Sequence, residues 1–295
     1  MPCWLIFLKT WKKNLETQPE KLSETVSFSL FAVGEHIIAH ANIYSPRANI
    51  CSSVRYKVNT ERSVSFFGRK YKKTMEIEKY ICEGRPRLLL FFCGWSASPA
   101  LFHSLQADPD QDVWLVSDYR NLTFDADLSA YQSVTLLAWS LGVWVSEQLF
   151  ADESSVHWER KIAINGTGCP VHDTEGIPEA IFRGTLENLT PDGIRRFNRR
   201  MCGGKERLAV WEAVPPRPID EISDELRYLF QAIQARKEKS ADFTWDQAIV
   251  GLSDRIFPTA NQLTHWQRRN VRIKEVQAPH DPFGLWKQWN ELVTA

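Results

Sequence analysis

Three residues of the types needed for nucleophilic catalysis stand in order along this chain: Ser140, Asp254 and His280. A serine hydroxyl is a weak nucleophile until a histidine takes its proton, and that histidine needs a carboxylate to fix its tautomer. Ser140 lies in the stretch 133–145, S-V-T-L-L-A-W-S-L-G-V-W-V. Its apolar run at 134–137 leads through Ala138-Trp139-Ser140-Leu141-Gly142 into a helix-compatible segment, with no polar linker between. Small residues on both sides of the serine suit a strained strand-to-helix turn, where the backbone folds close to its neighbours. Such a turn sets Ser140 at a helix N-terminus, with the Leu141 N–H aimed at any negative charge forming beside it. Taken alone, a small-x-Ser-x-Gly pentapeptide is a weak signal, since buried strand–helix connections produce it by accident.

The partners strengthen it. Residues 248–252, A-I-V-G-L, read as a short buried strand, and Asp254 stands in the loop that leaves it. Residues 271–276 alternate as a further strand, whose exit loop carries Pro279-His280-Asp281-Pro282. Ser140, Asp254 and His280 therefore each follow a separate strand, in the chain order used by α/β-hydrolases. A parallel sheet brings the C-terminal ends of its strands together, so three distant residues can meet at one edge. Asp281 is a poorer acid than Asp254, because adjacent loop side chains rarely turn back on each other. Asp246 precedes its strand and belongs to the opposite edge. His265 falls within a helix and reads as a surface residue. His36 and His40 have i,i+4 spacing, but the glutamate of an H-E-x-x-H site is missing, so no metal is expected.

The elements that must position these residues are legible from residue 75 onward. Strands are predicted at 75–82, 87–92, 112–117, 134–138, 161–165, 247–252 and 271–276, with helices near 98–106, 143–150, 259–268 and 283–293. This alternation implies a mostly parallel sheet covered by helices on both faces. About eighty residues between 165 and 247 carry helical pattern without a strand, and read as a lid, about 169–243, inserted over the strand ends. In this architecture the second oxyanion donor comes from the loop after the first central strand, here Gly94-Trp95. Trp95 N–H and Leu141 N–H are the expected donors, and the indoles of Trp95 and Trp139 are expected to wall an acyl channel. The bland alternative for Trp95 is core packing, and the two roles are compatible.

Composition sets outer bounds. The chain has 295 residues and a formal net charge of +0, which excludes a global basic field for nucleic acid or membrane. Six scattered cysteines without a C-x-x-C pair fit reduced thiols and a cytoplasmic location. The apolar run 3–8 is too short to span a membrane. Charge is uneven, however. Residues 1–74 hold 12 lysines and arginines against 5 glutamates and no aspartate. Helix or strand periodicity there is poor. A small domain, a basic disordered extension and a start codon placed too early, with Met75 the native start, all fit; composition favours the last.

The segments F-F-C-G-W, S-D-Y-R-N-L-T-F-D, L-L-A-W-S-L-G-V-W, I-A-I-N-G-T, E-G-I-P-E-A-I-F-R-G-T-L-E-N-L and F-N-R-R-M-C-G resemble the BioG family. These are pimeloyl-ACP methyl ester carboxylesterases of bacterial biotin synthesis. The resemblance covers residues 75–295 and implies an α/β-hydrolase with a small helical lid, a Ser-Asp-His triad and no cofactor. On the matching positions it implies Ser140 as nucleophile, Asp254 as acid, His280 as base, and Trp95 and Leu141 as oxyanion donors. Alanine at 138 departs from the usual glycine, a change such elbows tolerate. The substrate implied is the methyl ester of a pimeloyl chain on acyl carrier protein. Arg195, Arg196, Arg199 and Arg200 form a basic face on one predicted lid helix. That face is either simply solvated or a dock for the acidic carrier. A thioesterase or acyltransferase on the same triad, or an inactive hydrolase fold serving as a binding module, are the rival readings.

Overall fold

The computed structural model describes the backbone of 25–33, 36–45, 50–58 and 67–68, and all of 75–151, 156–236 and 243–294. The chain divides into two units, Met1–Tyr71 and Lys72–Ala295. In the first, strands β1 (Thr25–Val33), β2 (His36–Ser45), β3 (Ile50–Val58) and β4 (Phe67–Gly68) form an antiparallel sheet in that order. Val33 pairs with His36, and Ser45 with Ile50, so the registers are those of consecutive hairpins. His36 and His40 therefore lie on a strand, where helical spacing has no meaning.

The second unit is built on a seven-stranded sheet. Its strands are β5 (Glu76–Ile81), β6 (Arg87–Phe92), β7 (Gln111–Ser117), β8 (Ser133–Trp139), β9 (Trp158–Ile164), β10 (Gln247–Gly251) and β11 (Arg272–Val276). The spatial order is β11-β10-β9-β8-β6-β7-β5, parallel throughout except for β5, which runs antiparallel to β7. The central strands R-L-L-L-F-F and S-V-T-L-L-A-W are buried at nearly every position. Continuous apolar runs of this kind suit strands packed on both faces. Helices α1 (Leu141–Phe150), α2 (Glu179–Glu187), α3 (Pro191–Cys202), α4 (Lys205–Ala213), α5 (Ile219–Ala235), α6 (Thr259–Arg268) and α7 (Trp289–Val293) complete it. Four of them, α2 to α5, form the helical insertion between β9 and β10.

Two predicted helices are largely absent. Residues 98–106 hold only a four-residue 3-10 turn, Pro99–Phe102. Residues 283–293 split into a 3-10 turn, Phe283–Leu285, and the short α7. The cause is shared: Gln106 N–H donates to the Lys287 carbonyl, and Trp289 N–H to the Gln106 carbonyl. This bridge occupies backbone groups that a continuous helix would need at both places.

His265 is a further correction: it is buried, not at the surface. Its Nδ1 lies 2.9 Å from Glu175 Oε2, and its Nε2 accepts the Gly168 N–H at 3.2 Å. The ring is therefore neutral, and burial pulls its pKa from 6.5 down to about 4. As pH falls, the unfolded chain takes up this proton first. Stability should be full above about pH 6.5 and decline toward pH 4, by roughly 3 kcal/mol at most. Denaturant titrations above and below pH 6 check the slope, which His265→Gln should flatten.

Candidate active site

The sheet delivers its chemistry at one edge. β8 ends beside β6 and β9, with Ala138 opposite Phe92 and Trp139 opposite Ile164, and β10 ends beside β11 with Gly251 opposite Val276. The loops leaving these strands carry Trp95, Ser140, Asp254 and His280. Ser140 has φ 59° and ψ −127°, a conformation that L residues rarely adopt, and it caps α1. Gly142 makes the turn possible. A Cβ there would stand 2.7 Å from the carbonyl oxygens of both Phe92 and Cys93, so any larger residue would push the elbow off the sheet.

The structure brings the three predicted residues together. His280 Nε2 is 2.9 Å from Ser140 Oγ, and His280 Nδ1 is 2.8 Å from Asp254 Oδ2. All three are buried. Asp254 Oδ1 accepts the backbone N–H groups of Ile256 and Phe257 at 2.8 and 2.9 Å. That leaves Oδ2 to face the imidazole. The His280 ring stacks on Phe257 with an interplanar angle of 7°.

Two side chains hold the histidine loop from below. The indole N–H of Trp139 donates to the His280 carbonyl at 2.8 Å, so Trp139 anchors His280 as well as lining the cleft. Asn165 is a site residue that the sequence does not mark. Its Nδ2 donates to the carbonyls of Pro279 and His280 at 3.0 and 2.9 Å, while its Oδ1 accepts the Gly251 N–H at 2.6 Å. It thereby ties the end of β10 to the loop that carries His280. The only hint is its place, an asparagine directly after a buried strand, in I-A-I-N-G-T.

Asp281 faces the other way. Its Oδ2 accepts Arg207 Nε at 2.7 Å and also Trp211 Nε1, its Oδ1 accepts the Phe283 N–H, and its own N–H goes to the Met201 carbonyl. Asp281 thus fastens the His280 loop to α3 and α4. Gly203, with φ 67°, ends α3 against Pro279, where a Cβ would come within 2.6 Å of the proline ring. Trp95 is tied in a similar way: its indole N–H donates to the Ile222 carbonyl on α5, and its ring packs edge-on against Phe197 of α3. The backbone N–H groups of Trp95 and Leu141 donate to no protein acceptor among the described residues.

Above Ser140 lies a narrow cleft with a cavity volume of about 30 Å³. Its walls are apolar: Ile177, Ile181, Phe182, Phe197, Met201 and Leu226 come from the insertion, facing Trp95 and Trp139. Arg200 and Arg255 are its charged lining residues. Arg195, Arg196, Arg199 and Arg200 are all exposed on α3, with Arg195 paired to Asp192. Among the described residues, Cys169, Glu175 and His265 place potential metal ligands within 4.8 Å of one another. Both nitrogens of that histidine are already engaged, and Glu175 also pairs with Arg268.

A seven-stranded sheet with a single antiparallel edge strand, and a serine at the sharp turn into the helix after its central strand, defines an α/β-hydrolase. A crystal structure of SeMet-BioG from Haemophilus influenzae superposes with a TM-score of 0.69 at 37% identity, covering 74% of this chain and 99% of that one. The chain belongs to the BioG family: residues 75–292 match the profile described as Pimeloyl-ACP methyl esterase BioG. A curated Haemophilus influenzae protein, described as uncharacterized, is 39% identical over 219 residues and is covered over 99% of its length. A Bacteroides fragilis protein named as a malonyl-acyl-carrier-protein O-methyltransferase is 41% identical over 199 residues, but the chain spans only 40% of it. An esterase from Exiguobacterium antarcticum, at 14% identity and a TM-score of 0.50 over 75% of this chain and 91% of its own, shares the fold.

Proposed function

We propose that this protein is a serine carboxylesterase that hydrolyses the methyl ester of pimeloyl-acyl carrier protein, giving free pimeloyl-carrier and methanol. The observation that carries the reading is the unbroken hydrogen-bond chain from Asp254 through His280 to Ser140, at the floor of an apolar cleft. In this mechanism Ser140 Oγ attacks the ester carbonyl as His280 Nε2 takes its proton, and Asp254 stabilises the imidazolium. The oxyanion rests on the N–H groups of Trp95 and Leu141. His280 returns the proton to the departing methoxide, then activates the water that releases the acid. The insertion acts as a lid whose apolar wall accepts the aliphatic chain. Incubation with methyl pimeloyl-carrier tests the reading: methanol and free carboxylate are expected, with the carrier thioester intact. Faster release of the carrier thiol would make it a thioesterase.

The carrier-docking role belongs to the exposed arginines of α3. Their charge acts mainly on encounter and weakens with salt. Reversing Arg195 and Arg199 to Glu should raise KM for the carrier-bound ester about tenfold or more and flatten its salt dependence. Turnover of a small free methyl ester should stay within twofold of the parent, roughly the scatter of surface substitutions. Equal losses on both substrates would mean that these arginines hold the insertion together.

Every group in this mechanism lies within 75–295. The seven-stranded sheet and the family match lie there too. Residues 75–295 alone should therefore fold cooperatively and hydrolyse the ester at the full-length rate. Loss of the cooperative transition in a thermal melt would assign 1–74 a structural role.

A further inference from the structure

The acid of the proposed triad has a neighbour that the mechanism leaves unused. Gln262 lies in the first turns of α6 and is fully buried. Pro258 starts that helix directly after the loop bearing Asp254, so α6 folds Gln262 back over the carboxylate. Gln262 Nε2 donates to Asp254 Oδ2 at 2.9 Å and to the Phe257 carbonyl at 2.8 Å. Oδ2 is the same oxygen that meets His280 Nδ1. The amide's own Oε1 is buried without a partner among the described residues. An unpartnered buried carbonyl is costly, and an apolar side chain would fill the space without it. The useful part of this side chain is therefore its N–H.

We propose that Gln262 is a positioning residue that holds Asp254 Oδ2 on the imidazole. The inference rests on the Ser140–His280–Asp254 reading. Two backbone N–H groups pin Oδ1. Gln262 is the second point of attachment, and it stops the carboxylate from swinging about the first. Asp254 is the carboxylate in contact with His280, Phe257 and Trp139 pack on the ring, and Arg200 and Arg255 line the same cleft. Asp281 is adjacent in sequence but is engaged with Arg207 and Trp211. A change at Gln262 therefore reaches the base through Asp254.

The test uses the full-length protein and a small methyl ester, with kcat and KM measured across pH for the parent, Gln262→Met and Gln262→Glu. Gln262→Met should lower kcat roughly ten- to hundredfold at unchanged KM, the scale of a misplaced catalytic group. In Gln262→Glu two buried carboxyl groups meet at Asp254 Oδ2 and share one proton. While it holds that proton the introduced group donates as the amide did, so kcat should exceed that of Gln262→Met and fall toward it as pH rises and the pair loses the proton. Matching losses in melting temperature and KM, with kcat unmoved in Gln262→Met, would make Gln262 a core residue and overturn the proposal. Ser140→Ala and Asp254→Asn serve as controls. If either stays active, the triad reading itself fails. If both are inactive while Gln262→Met keeps the parent's kcat, this inference alone fails.

Discussion

Ser140→Ala should abolish ester hydrolysis and leave the protein folded. Among the described residues the Ser140 hydroxyl bonds only to His280 Nε2, so its loss removes the proposed nucleophile and little else. Alanine meets the same backbone strain at φ 59° that serine does, and the turn itself depends on Gly142. Removing the nucleophile from such a triad costs on the order of a millionfold in kcat, while the oxyanion donors retain a residual acceleration. The melting temperature should move by no more than a few degrees, as expected for a change of about 1 kcal/mol. Two readouts decide the matter: hydrolysis of methyl pimeloyl-carrier, and covalent labelling of the parent by a fluorophosphonate. Activity within tenfold of the parent would mean that another residue is the nucleophile. A parent that fails to label would favour a binding module on a hydrolase fold.

The sheet and the strand-end residues were legible because each rests on a local signal. Continuous apolar runs such as L-L-L-F-F mark strands buried on both faces, and a small-x-Ser-x-Gly turn joins one of them directly to a helix. What the sequence concealed depends on long-range contacts. His265 reads as polar and helical, and only the distant Glu175 and the Gly168 N–H explain its burial. Gln262 and Asn165 carry no motif, since each acts by holding backbone or carboxylate groups from loops far along the chain. The bridge between Gln106 and 287–289, which interrupts two predicted helices, joins residues about 180 positions apart. In the first unit a local signal is present but short. V-S-F-S-L in β1 alternates with period two, the pattern of a half-buried strand.

Asp254→Asn should lower kcat about ten-thousandfold, the scale of losing the correct imidazole tautomer. The hydrogen bonds around Asp254 say why. The N–H groups of Ile256 and Phe257 both require an acceptor at Oδ1, so an asparagine must keep its oxygen there. Its NH2 group then occupies the Oδ2 position and confronts Gln262 Nε2 and His280 Nδ1. To accept from that NH2, His280 must give up the proton on Nδ1 and carry it on Nε2. A protonated Nε2 cannot take the proton of Ser140, and the nucleophile is stranded. Asp281→Asn meets a different fate, because that carboxylate binds Arg207, Trp211 and the Phe283 N–H and does not face His280. An amide there sets a donor against donors and leaves Arg207 without its anion, so stability should fall by about 2 kcal/mol while kcat stays within tenfold. Steady-state kinetics and thermal melts of the two variants separate the roles. If Asp281→Asn proved the catalytically dead variant and Asp254→Asn the merely unstable one, the acid of the triad would be Asp281.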